Sequence, residues 1–359
     1  MKTLDRASML LRRSLLNPAF PNVSFLPLST DTHPAWMAHV NFLQDKTAWP
    51  LPGKTLHVVN RLPNVLKGFR YVSETEALFS ILHKDYTRSP DFSVPGAVRR
   101  IEKEVESGKL RRIIFQSRSA FEVSSKWMTP RIEAISRTVQ VVPQAIQKRP
   151  VPASESEIKI LTIGSSNYRK GLFLLKNVIP AARRCRPDIS FTCVSSVPLP
   201  GMATIDGLEV LVIDRMDEQT RRWIYASHHY LLNLSLGNAL GVFLECCQFN
   251  IPMIGYPGQH GGSFVPVGTG LMLEAPIFEL EEERFDLKWT IRDFPDYLAK
   301  LHEEGFFRDA EDALVESISG LDAGGPYAAM LERQFEFAQK NLSVDSWLTA
   351  MARVYDELD

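Results

Sequence analysis

The stretch from residue 229 to 262, HYLLNLSLGNALGVFLECCQFNIPMIGYPGQHGG, constrains the fold more than any other part of the chain. Two short continuous apolar runs, 230–234 and 251–256, bracket a polar loop at 235–240 and a helical pattern from Gly241 to Gln248. Apolar runs this short, without alternation, suit parallel strands covered on both faces. A helix between them starts at the carboxyl edge of the first strand, which is where open α/β sheets bind ligands.

That placement has chemical consequences. The first turn of such a helix presents unpaired backbone N–H groups and the positive end of its dipole, and Gly241, followed by Val242, leaves the backbone open to close approach. A diphosphate fits there. One turn later Glu245 stands among Phe243, Leu244, Cys246 and Cys247. A carboxylate in such company is costly unless a polar group, such as a pair of ribose hydroxyls, takes it up. The simpler alternative is a glutamate that points to solvent.

A second loop of the same kind lies upstream. Residues 164–171, GSSNYRKG, follow an apolar run at Ile158–Ile163 and precede a helical pattern at 172–184. Gly164 and Ser165 are small, Arg169 and Lys170 are cationic, and a glycine closes the turn. Polar backbone plus a cation at a strand–helix turn suits a phosphate, although the Walker spacing fails and a solvated basic turn is the plainer reading.

The remaining pattern is an alternation of strands and helices, which argues for an α/β fold with parallel sheets. Strand-like runs at 56–60, 69–73, 112–117 and 139–142 alternate with helical patterns at 74–83, 97–107 and 120–128. Residues 143–157, PQAIQKRPVPASESE, have no periodicity and mark a domain boundary. Strands then follow at 189–194 and 208–213, with a helix at 218–226, and Pro180 is expected to kink the helix it sits in. Helical patterns appear at 4–16 and again at 289–304, 309–318, 326–338 and 344–358. In the last of these Trp347, Leu348, Met351 and Tyr355 form a stripe that must be buried somewhere. The division expected is a domain at 1–145, a linker at 146–157, a second domain at 158–340 and a terminal helical segment at 341–359.

In the first domain the SETE sequence places Glu74 and Glu76 at a strand's carboxyl end, where they orient substrate hydroxyls or open the next helix. Arg118 either binds an anion or sits in solvent. No GxGxxG fingerprint occurs, which removes the simplest dehydrogenase reading. The four cysteines have no metal-ligand spacing and read as reduced core residues, and His228–His229 reads as a surface or internally satisfied pair. Residues 1–153 hold 23 Lys and Arg against 12 Asp and Glu, while 154–359 hold 18 against 30. The basic half therefore meets something anionic, or the halves attract each other across a shared cleft. A nucleic-acid partner is disfavoured, because no binding motif accompanies the basic residues. No apolar run is long enough for a membrane span and the first residues lack a secretory signal, so the expected compartment is cytoplasmic.

Together these motifs resemble a retaining glycosyltransferase of the GT-B fold, of the large family numbered four. ILTIGSSNYRKGLFLL, LNLSLGNALGVFLECCQFNIPMIG and GTGLMLE are similar to that family's nucleotide-site segments. RRIIFQSRSAF and VQVVPQAI look like its strands before the linker, and MARVYDEL like the end of its last helix. The resemblance implies two Rossmann-like domains facing across a cleft, with a C-terminal helix returning to the N-terminal domain. It implies a nucleoside diphosphate sugar as donor substrate and neither metal nor cofactor. By the same resemblance Lys170 and Arg169 neutralise the diphosphate, Gly241 and Val242 meet it through their backbone, and Glu245 binds the ribose. The acceptor implied is a glycan, lipid-linked or other anionic molecule held by the basic N-terminal domain, which also invites a peripheral contact with the inner membrane face. The chain departs from the family in three places. Gly237 stands where the first acid of a Glu-x7-Glu pair is expected, Ser165 falls on the loop arginine, and Glu74 or Glu76 substitutes for an N-domain histidine. Those losses keep open an alternative: a degenerate GT-B protein that binds nucleotide or glycan without catalysis.

Overall fold

The computed structural model describes residues 23–25, 55–59, 70–82, 93–143, 145–149, 157–164, 170–199, 201–214, 216–235, 240–258, 260–274 and 294–358. The chain divides into two compact units, one of Pro143–Ser343 and one of Lys2–Val142 with Val344–Asp359.

The unit that opens the chain holds β1 (Val23–Phe25), β2 (Thr55–Val59), β3 (Tyr71–Thr75), β4 (Leu110–Phe115) and β5 (Ser136–Thr138). All are parallel, and they lie in the order β1-β2-β3-β4-β5. Each strand adds on the same side of its predecessor. Right-handed crossovers therefore send the connecting helices α1 (Val94–Glu106), α2 (Arg118–Ser125) and α3 (Pro130–Ala134) to one face of the sheet. The other face, lined by Val59, Val72, Ile114 and Val139, is closed by Trp347, Met351, Val354, Tyr355 and Leu358 from the helical segment at 344–358. The stripe read from the sequence is buried there.

Two sequence expectations are corrected in this unit. The helix anticipated at 74–83 is absent: Glu74 and Thr75 complete β3, and only a 3-10 turn at Leu78–Ile81 follows. The strand anticipated at 139–142 ends earlier, at Thr138. Even so, the N–H groups of Val139 and Val141 continue the ladder, bonding to the carbonyls of Phe115 at 3.0 Å and Gln116 at 2.9 Å.

The second unit runs β6 (Ile158–Ile163), α4 (Leu175–Cys185), β7 (Ile189–Ser195), β8 (Leu208–Val212), α5 (Glu218–Ala226), β9 (Tyr230–Asn233), α6 (Leu240–Phe249), β10 (Met253–Gly255), α7 (Gly261–Phe264) and β11 (Gly270–Met272). Helices α8 (Phe294–Glu303), α9 (Arg308–Ser319) and α10 (Gly325–Asn341) follow, and the Val344–Asp356 helix of the other unit is α11. The sheet is parallel, with the order β11-β10-β9-β6-β7-β8. From β6 the chain winds outward to β7 and β8, then α5 carries it back to β9 on the other side of β6. From there it winds outward the opposite way. The winding reverses between neighbouring strands β6 and β9, and their carboxyl ends flank the crevice that such a reversal opens.

Helix α6 is buried on nearly every side, with Gly241 exposed, as befits a helix that is apolar all round. Gln334 of α10 donates to the Cys246 and Ile251 carbonyls, each at 3.2 Å, fixing its far end. A 3-10 turn at Leu172–Leu174 precedes α4, which continues across Pro180. Cys193, Cys246 and Cys247 are buried thiols, whereas Cys185 is exposed, so the expectation of four core cysteines holds for three. His228 and His229 are both buried. Among the described residues, no helix is long and apolar enough to cross a membrane. The helical pattern at 4–16 lies outside the described residues.

Candidate functional site

The reversal point is built from two loops that touch. Gly164 follows β6, and its N–H bonds to the Val194 carbonyl at 3.0 Å. A Cβ placed on Gly164 would stand 2.9 Å from Cβ and 3.1 Å from Cγ of Lys170, so the stem of the lysine lies across the glycine. Gly171 has φ +64°, the left-handed region that a glycine enters without strain, and a Cβ there would collide with the Leu234 carbonyl oxygen. The turn after β6 thus rests directly on the end of β9. Ser235 follows, only 3% exposed, and among the described residues its Oγ has no hydrogen-bond partner. Its N–H is held by Asn233 Oδ1 at 3.3 Å.

Helix α6 starts five residues beyond Ser235, at Leu240. Among the described residues a Cβ on Gly241 would meet nothing within 4 Å, so no described neighbour covers the backbone there, while Val242 is buried. Ser165, Arg169 and Gly237 lie outside the described residues.

Glu245 does not point to solvent: it is 6% exposed. Tyr225 Oη donates to its Oε2, and Arg221 Nε stands 3.6 Å from its Oε1. Burial raises the carboxyl's pKa above its ordinary value, with Tyr225 and Arg221 pulling the other way. Burial likewise raises the Tyr225 hydroxyl, reinforced by the neighbouring carboxylate. The Tyr225 ring stacks on Phe249 at 4.5 Å, and Arg221 also pairs with Glu218 at 3.4 Å. Both carboxylate oxygens retain lone pairs, since an ionised carboxylate has about four acceptor sites.

In the other unit Glu74 lies inside the sheet, near the end of β3. It is 1% exposed, and both of its oxygens are engaged. Oε2 lies 3.1 Å from His57 Nε2, and Oε1 accepts from Gln116 Nε2 at 2.8 Å. His57 Nδ1 in turn bonds to the Tyr355 hydroxyl of α11. Glu76 is half-buried in the bend after β3. Arg118 is the first residue of α2, whose start is capped by Ser117 Oγ accepting from the Ala120 N–H at 3.1 Å. Its side chain is 83% exposed and pairs with Glu122 at 2.8 Å. Among the described residues, no group of three or more His, Cys, Asp or Glu stands together to hold a metal ion.

Sequence reasoning did not single out His57 and Gln116 in one unit or Ser235, Arg221 and Tyr225 in the other, and it read Tyr355 only as part of an apolar stripe. For His57 a signal existed, because a lone polar residue within the apolar run LHVV becomes informative once buried.

No protein-family model matches the chain, and no curated protein matches it either. Solved structures do. WaaG, a glycosyltransferase involved in lipopolysaccharide biosynthesis, superposes with a TM-score of 0.54 at 10% identity, covering 98% of this chain and 95% of its own. The fold is that of the GT-B glycosyltransferases. TarM from S. aureus, solved with fondaparinux, α-GlcNAc-glycerol and UDP, gives a TM-score of 0.52 at 11% identity over 80% of this chain. This chain spans about half of TarM, 51% of its length. A UDP-forming α,α-trehalose-phosphate synthase from Burkholderia xenovorans also gives 0.52, at 8% identity, covering 91% of this chain and 80% of that one.

Proposed function

We propose that the chain is a glycosyltransferase that moves a sugar from a nucleoside diphosphate sugar to an acceptor hydroxyl, with retention and without a metal or other cofactor. The observation that carries this reading is the contact of Gly171 with Leu234 at the winding reversal. It brings a lysine turn against the loop that leads to an open helix start. Backbone N–H groups at a helix start and a nearby ammonium suit a diphosphate whose charge grows as the sugar leaves.

In this reading Lys170, with Arg169, neutralises the leaving diphosphate. Gly164, Ser165, Gly241 and Val242 supply the backbone and small side chains around it, and Glu245 accepts from the ribose hydroxyls. The acceptor oxygen bonds to the anomeric carbon on the face from which the diphosphate departs, and the diphosphate leaves with the electron pair. The departing phosphate oxygen takes up the acceptor's proton. Arg118 and Glu76 belong to the acceptor side, and the basic character of residues 1–153 suits a glycan, lipid-linked or other anionic acceptor at the inner membrane face. A nucleotide sugar and that acceptor are the proposed partners, in the cytoplasm, with no nucleic acid.

The test is protection against thermal unfolding by UDP, GDP and ADP, followed by a donor-hydrolysis assay on the nucleotide sugar of the base that protects. A ligand present at a hundred times its Kd stabilises the native state by about 2.7 kcal/mol. Lys170→Ala and Glu245→Ala are expected to lower turnover by about 10²-fold or more in folded protein. Protection by none of the three nucleotides would sink the proposal, and protection without sugar release would favour a non-catalytic binder.

A further inference from the structure

We infer that Arg221 and Tyr225 are positioning residues that hold the Glu245 carboxylate in the orientation needed to accept the hydroxyls of a bound ribose. The inference rests on the donor-site reading given above for Glu245.

The geometry is a clasp between two helices. Arg221 and Tyr225 are four residues apart on α5 and share one of its faces, as Glu245 and Phe249 do on α6. Tyr225 stacks its ring on Phe249 and gives its hydroxyl to Oε2 of Glu245, while Arg221 stands over Oε1. Stacking fixes the phenol, so its hydroxyl meets the carboxylate from one direction. Arg221 is itself steadied by Glu218, and its side chain is only 11% exposed.

A buried carboxylate that served only to join two helices would gain more from an apolar pair of the same size, since removing both polar partners relieves desolvation. Here the clasp uses one oxygen for a firm hydrogen bond. The other stands 3.6 Å from a guanidinium, beyond normal hydrogen-bond length. A held carboxylate whose second oxygen, among the described residues, is met by a guanidinium alone and accepts no hydrogen bond is the arrangement a vicinal diol requires. Glu245 lies one helical turn after Gly241, the place on α6 where, among the described residues, nothing covers the backbone.

The test pairs two variants with two ligands. Tyr225→Phe keeps the stacked ring and removes the hydroxyl, and Arg221→Lys keeps the charge and removes the fork. Each is titrated calorimetrically with UDP and 2′,3′-dideoxy-UDP, or with the guanosine or adenosine pair should one of those protect the wild-type protein. Wild type is expected to prefer the diol-bearing nucleotide about tenfold or more, the effect of roughly one good hydrogen bond to a charged group. Each variant should lose most of that preference while binding the dideoxy nucleotide as wild type does. Equal weakening of both ligands, or an undiminished preference, would overturn the positioning role. A wild-type protein that does not distinguish the ligands, or binds neither, would instead overturn the ribose assignment of Glu245, and the inference with it.

Discussion

The two units use the same materials, parallel strands and a buried glutamate, to opposite ends. In the 143–343 unit the strand order reverses between β6 and β9, and the loops that leave those strands meet at Gly171 and Leu234. In the other unit the order runs β1 to β5 without reversal, and its second face is occupied by α11. Glu245 keeps acceptor capacity beside an open helix start, whereas Glu74 has both oxygens committed to His57 and Gln116. A buried carboxylate is therefore no guide to a ligand site by itself. What separates the two is whether the winding of the sheet leaves a crevice beside the carboxylate.

The widest gap between the units should appear in stability. Glu74→Ala strips His57 and Gln116 of a shared buried partner and is expected to cost about 3–5 kcal/mol in urea unfolding. A loss under about 1 kcal/mol would mean that the network is not holding the sheet. Next comes catalysis. Lys170→Ala should lower the turnover number for donor cleavage by about 10²–10³-fold, the usual effect of losing one group that stabilises transition-state charge. Arg118→Ala, made in a solvated side chain that among the described residues pairs only along its own helix, should leave the melting temperature where it was, and a large drop there would blur the contrast.

A finer probe is Gly241→Ala. Since among the described residues a methyl group there meets no neighbour within 4 Å, the substitution should stabilise the helix by up to about 1 kcal/mol while weakening nucleotide binding by crowding the backbone. Gain without any loss of binding would place the diphosphate elsewhere. The smallest effect concerns pH. The folded Glu245 carboxyl has a raised pKa, so its contribution to stability is fully present below the unfolded value and is lost as pH rises through the folded one. Glu245→Gln should remove that loss. Its unfolding free energy relative to wild type should climb with pH from the ordinary glutamate range and then level off, measured by urea melts from pH 4 to 8.

Much of the 143–343 unit was legible because its signals are local. The runs 230–234 and 251–256 gave β9 and β10, and the pattern from Gly241 gave α6 to within a residue or two. The lysine turn was readable as well, because glycine, cation and glycine sit within one loop. The other unit was harder, since its decisive contacts are distant in sequence. Glu74 read either as a substrate contact or as the acidic first turn of a helix, but it lies in β3 with His57 and Gln116, on the flanking strand β2 and just after β4, as partners, and no local pattern reports them. Tyr355 meets His57 across a separation of 298 residues, which periodicity cannot reveal beyond the existence of an apolar stripe. Arg221 and Tyr225 are readable as one face of a helix, yet only the packed structure shows which carboxylate that face meets.

The return of α11 to the first sheet also bears on how this protein is made. As the chain leaves the ribosome, Val59, Val72, Ile114 and Val139 emerge early, but the residues that cover them come only after the whole of 143–343 has been synthesised. The second unit is contiguous and can fold as it is made, while the first carries an uncovered apolar face throughout that interval and needs chaperone shelter or quick synthesis to escape aggregation.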